Sequence, residues 1–191
     1  MTGARVLAAS LVLLAGCAAE PQRVYTPGRV SAQGVSPVAA PTVESTPVGS
    51  GVSVRVEWPA APDPMLRTYT GYYAEAWKAV LGGGDDYLGR VEGPAAADAQ
   101  AWVRGFDDHA VTGTALLHSL AVSAVMGDGA QVNACVDETG LRLVSRRTRE
   151  PAARQPDWTR RAYLQAAIMH KGDDGVWRIK DFRYSKEGCD R

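Results

Sequence analysis

The sequence has no net charge to offer a polyanion: 21 Lys and Arg residues stand against 21 Asp and Glu in 191 positions. Nucleic-acid binding draws on a basic surface, so the composition speaks against that class of partner. Histidine is scarce, with three residues at 109, 118 and 170. No second histidine or carboxylate cluster follows Asp107-Asp108-His109 at ligand spacing, and His118 and His170 read as satisfied sheet histidines, so neither a metal centre nor a cofactor is expected. Lysine (four), asparagine (one) and isoleucine (two) are rare while arginine reaches 17. Those three scarce residues have AT-rich codons, and the bias points to a GC-rich genome. Cysteine is limited to Cys17, Cys135 and Cys189.

What is present begins at the N-terminus. Arg5 gives a short positive region, and Val6 to Ala15 is an apolar run too short to span a membrane as a mature helix. Small residues precede a cysteine in Leu14-Ala15-Gly16-Cys17, which resembles a bacterial lipobox. The resemblance implies a signal peptide over residues 1–16 and a diacylglyceryl-modified Cys17 as the mature N-terminus. Two acyl chains, palmitate among them, suffice for stable anchoring at about 0.8 kcal/mol per buried methylene. The protein is then expected at the cell membrane, lipid-anchored, on its extracytoplasmic face. Without residues 1–16 the chain has 20 basic and 21 acidic residues.

Residues 18–50 hold five Pro and only four charges, with no apolar period. Such a stretch buries too little surface to offset the entropy of ordering it. Residues 17–51 therefore read as a lipid-anchored disordered tether, with a folded domain over 52–191.

Within that domain Val52, Val54, Val56 and Trp58 alternate with polar residues, a strand period ended by Pro59. Asp63-Pro64 has the form of a helix N-cap followed by proline at the first helical position. Leu66, Tyr69, Tyr73, Ala76, Trp77 and Val80 follow at helical spacing until Gly82-Gly83-Gly84. A helical turn over Tyr87–Val91 and a helix from Ala95 to about Asp108 come next. After Gly113 the period becomes alternating, giving strands over 116–126, 130–138, 141–148, 161–170 and 176–184. Helices first and an antiparallel meander last define an α+β fold, with helices packed on one side of a curved sheet.

Val132-Asn133-Ala134-Cys135-Val136-Asp137, the strand Gly175-Val176-Trp177-Arg178-Ile179-Lys180-Asp181 and the terminal Gly188-Cys189 resemble actinobacterial lipoproteins with an NTF2-like (SnoaL-like) domain. The resemblance covers roughly residues 64–191. It implies a cone, with N-terminal helices packed on a curved antiparallel sheet, and makes 52–58 an added edge strand. The fold hosts enzymes, binders and partner modules alike, so it does not name an activity.

With Cys17 taken by lipid, Cys135 and Cys189 remain in a compartment that permits disulfides, either bonded or as two free thiols. A bond would close a loop of about 55 residues, worth roughly 4 kcal/mol from loop-closure entropy.

Candidate chemistry is sparse. Tyr69, Tyr72 and Tyr73, with Trp77 and Trp102, are placed to line the mouth of a cone pocket. On the strand face carrying Gln131, Asn133, Cys135 and Asp137, Asn133 and Asp137 are the candidates for buried polar groups. The candidate pocket is thus Tyr69, Tyr73, Trp77, Trp102 and Asn133, with no catalytic residue assigned. Ketosteroid-isomerase-like relatives pair a Tyr with carboxylates, and no such pair is evident on one face here. Asp107-Asp108-His109 reads as a solvated helix end. Arg146, Arg147, Arg149, Arg154, Arg160 and Arg161 crowd one interstrand connection and read as a solvated loop.

The expected function is non-catalytic binding of an envelope partner protein or a small apolar ligand. One alternative is a SnoaL/ketosteroid-isomerase-like small-molecule enzyme, which a buried carboxylate facing a Tyr in an apolar pocket would favour. Another is an accessory of a transfer or secretion complex, or a prophage surface-exclusion lipoprotein.

Overall fold

The computed structural model describes residues 41–106, 109–185 and 189. Cys17, the signal peptide, the tether as far as residue 40, Asp107, Asp108 and Gly188 lie outside the described residues. In chain order the elements are β1 Thr42–Gly49, β2 Val52–Trp58, α1 Pro64–Gly82, a 3-10 turn Asp86–Arg90 and α2 Pro94–Arg104. Then come β3 His109–Met126, β4 Gly129–Asp137, β5 Leu141–Ser145, a 3-10 turn Asp157–Thr159, β6 Tyr163–Lys171 and β7 Trp177–Ser185. The fold is α+β. All seven strands belong to one curved sheet, ordered β1-β2-β3-β4-β6-β7, with β5 also paired to β3.

α1 starts where its sequence dictates. The Asp63 side chain accepts from the Met65 amide at 2.8 Å, and Pro64 occupies the first turn, where it forfeits no helical hydrogen bond. Gly83, at φ 79°, ends it. The helix buries Leu66, Tyr69, Tyr73, Ala76, Trp77 and Val80. The sheet meets them with Val54, Val56, Leu117, Val132, Ala134, Val136, Ala167 and Met169, the inward side of the alternation.

Two expectations need correction at the N-terminal border. Residues 42–49, assigned to the tether, form β1, which pairs antiparallel with β2 from Thr42↔Trp58 to Gly49↔Val52. Composition concealed it because β1 buries only Val48. Its order comes from the ladder to β2 and from the bond of Trp58 Nε1–H to Glu44 Oε2 at 2.8 Å. In consequence β2 is no edge strand. It lies between β1 and β3, pairing parallel with β3 over Val52↔Gly113 to Val56↔Leu117.

β3 is also longer than its alternating segment, beginning at His109. Gly113 lies inside the strand at φ 109°, and a Cβ there would sit 2.1 Å from the Gly140 carbonyl oxygen. It permits a close backbone approach; it does not punctuate the chain. α2, for its part, ends at Arg104, with Gly105 as C-cap.

The length of β3 sets up the site. Its C-terminal part pairs with β4 as far as Leu116↔Asp137, and its first residues pair with β5 from Gly113↔Leu141 to His109↔Ser145. β4 and β5 thus follow one edge of β3 in succession, separated by the irregular residues 138–140. On its other side β4 pairs with β6 as far as Val136↔Tyr163. Beyond that pair the described ladders of β6 end, and the sheet divides at Glu138.

Candidate functional site

Glu138 occupies the division. Along β4 the inward residues are Ala130, Val132, Ala134 and Val136, each buried, and the next step of two is Glu138. A carboxylate therefore arrives where the pattern would place another apolar side chain, only 2 % exposed. Two phenols meet it. The Tyr73 hydroxyl, from α1, donates to Oε1 at 2.5 Å, and the Tyr163 hydroxyl, from the first residue of β6, donates to Oε2 at 3.1 Å.

Burial is the main force on this carboxyl and raises its pKa. The two phenol hydrogen bonds oppose the rise, the neighbouring Asp137 charge adds to it, and the balance pushes Glu138 from 4.5 to about 7. The tyrosines respond in the same sense. Burial, then the nearby Glu138, hold Tyr73 well above its ordinary range, and the same two causes lead for Tyr163. Both phenols are therefore neutral donors at any physiological pH.

A second bonded pair lies beside the first. The Tyr69 hydroxyl donates to Gln165 Oε1 at 2.5 Å, and both residues are buried. Tyr69 and Tyr73 are one turn apart on α1, and Tyr163 and Gln165 are two apart on β6. The helix period and the strand period thus bring four polar side chains to one level of the interior.

Above this level opens a cavity of about 580 Å³, a size and apolar character typical of small-molecule sites. Tyr72, Phe182 and Tyr184 form one wall, with Tyr72 and Phe182 ring centroids 5.2 Å apart. Trp102 and Trp158 form the other, backed by the fully buried Trp77, whose ring meets that of Trp102 edge-on at 5.0 Å. Ala76 and Ala99 leave the space that larger residues would fill. Asp98, Asp157 and Arg161 are the charged groups lining it apart from Glu138.

Of the residues expected at a pocket, Tyr73 and Trp102 line the cavity, as does Tyr72. Tyr69 stands behind the lining and orients Gln165, while Trp77 is wholly buried in the aromatic cluster. Asn133 is not part of it: the side chain lies off the inward face and accepts from Gln131 Nε2 at 2.8 Å. Asp137, the other polar candidate on that strand, caps its own turn, accepting from the Thr139 amide and hydroxyl.

Glu138 carries a single sequence signal, the alternation Val132-Ala134-Val136 that extends to it. Tyr163, Gln165, Phe182, Tyr184 and Trp158 had no local signal, because sheet pairing and the 146–162 connection bring them in. Among the arginines of that connection, only Arg161 lines the cavity. Arg146 donates to the Val80 carbonyl at 3.1 Å, and Arg160 pairs with Asp157 at the surface.

Cys135 and Cys189 are at bonding distance, with their Cα atoms 5.7 Å apart. Cys135 lies off the inward apolar face, so the bond fastens the C-terminal end outside the cavity. His170, on β6, pairs with Glu92 at 2.7 Å, and His118 is buried on β3. Among the described residues no group of three or more His, Cys, Asp or Glu side chains could hold a metal ion.

No family profile matches this chain, and no curated protein sequence matches it.

Proposed function

We propose that the protein is a lipid-anchored extracytoplasmic binder of a small, largely apolar molecule, held in the aromatic cavity above Glu138. The cavity itself carries this reading: about 580 Å³, walled by rings, with one buried carboxylate and its two phenol donors at the base. A cleft of that size, mostly apolar with a few convergent polar groups at its base, is the form that small-molecule sites take. The α+β architecture, with α1 against a curved sheet, supports an NTF2-like cone, and the cone's open end is where this family of folds takes ligands. The Leu14-Ala15-Gly16-Cys17 motif supports the anchor.

The test uses the full chain and N-phenyl-1-naphthylamine, a neutral fluorophore bright only in apolar surroundings. One equivalent is expected to bind and to quench tryptophan emission. Ala99→Leu, which fills the cavity wall, is expected to weaken binding about tenfold or more while near-ultraviolet circular dichroism stays native. Binding untouched by Ala99→Leu would refute the cavity as the site. Cys17→Ser is expected to abolish lipid labelling, and membrane retention of a normally cleaved Cys17→Ser chain would refute the anchor.

A second reading has one observation in its favour. A buried carboxyl with its pKa raised to about 7, at the base of an aromatic cavity, is a group that can take and return a proton α to a carbonyl. Solvent deuterium exchange into a cyclic ketone, faster with the native chain than with Glu138→Gln, would favour such an isomerase. Exchange at the buffer rate with both would exclude it for that substrate.

A further inference from the structure

The charge around the cavity is not balanced. Glu138, Asp98 and Asp157 line it against a single Arg161. Asp157 already faces Arg160 at 3.4 Å, but Asp98, on α2, makes no ion pair among the described residues. The polar hydrogens at the base are also committed: those of Tyr73 and Tyr163 to Glu138, and that of Tyr69 to Gln165. What the cavity presents to an occupant is mostly aromatic rings, from Tyr72, Trp102, Trp158, Tyr163, Phe182 and Tyr184, with three carboxyl groups and the polar side chains of Arg161, Gln165 and Ser185.

Each class of occupant meets that inventory differently. An anion would find one guanidinium and three carboxylates. A neutral carbonyl would find the phenol hydrogens at the base already engaged. A cation would find aromatic rings on two walls and a carboxyl beneath, and cation–π attraction grows as the charge is desolvated.

We propose that the ligand is an organic cation, a tertiary or quaternary ammonium on an apolar body, with the ammonium between the aromatic walls over Glu138. This rests on the small-ligand reading above and names the chemistry of the molecule that the cavity takes. The charged and titratable groups facing Glu138 are Tyr69 and Tyr73 from α1, Asp137 from β4, Tyr163 from β6 and Tyr184 from β7. Asp98, Asp157 and Arg161 face the cavity itself. Of these, Glu138 is the one brought to about 7, so a cation above it favours the ionised form and binds more tightly as the pH rises past 7.

The experiment titrates the full chain with three probes of nearly one shape: phenyltrimethylammonium, its carbon isostere tert-butylbenzene, and benzenesulfonate. At pH 8 the cation is expected to bind about tenfold tighter than the isostere. The preference is expected to shrink several-fold at pH 5, and in Glu138→Gln at pH 8. Asp98→Asn, at an exposed position, keeps the test open if Glu138→Gln fails to fold. It is expected to weaken the cation by about two- to threefold and leave the isostere unchanged. Equal or tighter binding of tert-butylbenzene or benzenesulfonate would overturn the cation and leave the cavity as a ligand site. So would binding of N-phenyl-1-naphthylamine with none of the three probes. Failure of all four would overturn both.

Discussion

Tyr73 and Glu138 are 65 positions apart in sequence and joined by a 2.5 Å hydrogen bond inside the protein. The bond ties α1 to the point where β4 gives way to β5, and it leaves a carboxylate buried under an aromatic cavity. Removing the phenol oxygen alone isolates one partner. Tyr73→Phe strands a buried carboxylate oxygen and is expected to cost about 1–3 kcal/mol. Tyr163→Phe breaks a 3.1 Å bond from a half-buried residue and is expected to cost less. Urea unfolding of the two variants checks the order, and the reverse order would contradict the geometry.

Glu138 makes stability depend on pH in the direction opposite to that of an ordinary salt-bridged acid. Its folded pKa, about 7, lies above the ordinary 4.5, so the folded state holds the proton more firmly than the unfolded chain. Its contribution is fully present below about pH 4.5 and falls away as the pH rises to about 7. A difference of that size corresponds to about 3 kcal/mol. Glu138→Gln, neutral at every pH, is expected to lose this decline, so native and variant curves should diverge between pH 4.5 and 7 and run parallel above. Parallel curves throughout would show that Glu138 titrates normally.

The Cys135–Cys189 bond predicts a second stability effect. Replacing either cysteine by serine is expected to cost about 2–5 kcal/mol. Because the bond lies off the cavity face, N-phenyl-1-naphthylamine binding at low temperature should persist. Two titratable thiols in the native, non-reduced protein would refute the bond.

β1 moves the border of the folded domain. Limited proteolysis is expected to leave a resistant fragment that begins at or before Thr42, since the ladder to β2 protects the backbone from there. A fragment starting near residue 52 would show that β1 does not hold in solution.

Much of this fold could be read from periodicity. α1 announced itself through Asp63-Pro64 and the spacing of Tyr69, Tyr73 and Trp77, and β4, β6 and β7 were found within two residues. β1 was not, because its partner β2 supplies the order that its own side chains do not. Half of the site was legible in the same way: a helix period exposes Tyr73, and Trp102 follows on α2. The other half depends on pairing that no local window contains. Tyr163 reaches Glu138 only because β6 pairs with β4 up to Val136↔Tyr163. Glu138 itself lay in view, one step beyond an apolar alternation. A charged residue at the end of an inward face reads naturally as the strand leaving the core, and here it is instead the base of a cavity.

Glu138 is a buried carboxyl beneath an aromatic cavity of about 580 Å³, the place proposed for a small-molecule ligand. Carbon-13 detection of its side-chain carboxyl across pH, with and without saturating N-phenyl-1-naphthylamine, measures both at once. The expected midpoint is about 7 in the free protein. A neutral occupant that displaces water from the cavity should raise it further. A midpoint near the ordinary 4.5, unmoved by the probe, would contradict the buried carboxyl and the site built upon it.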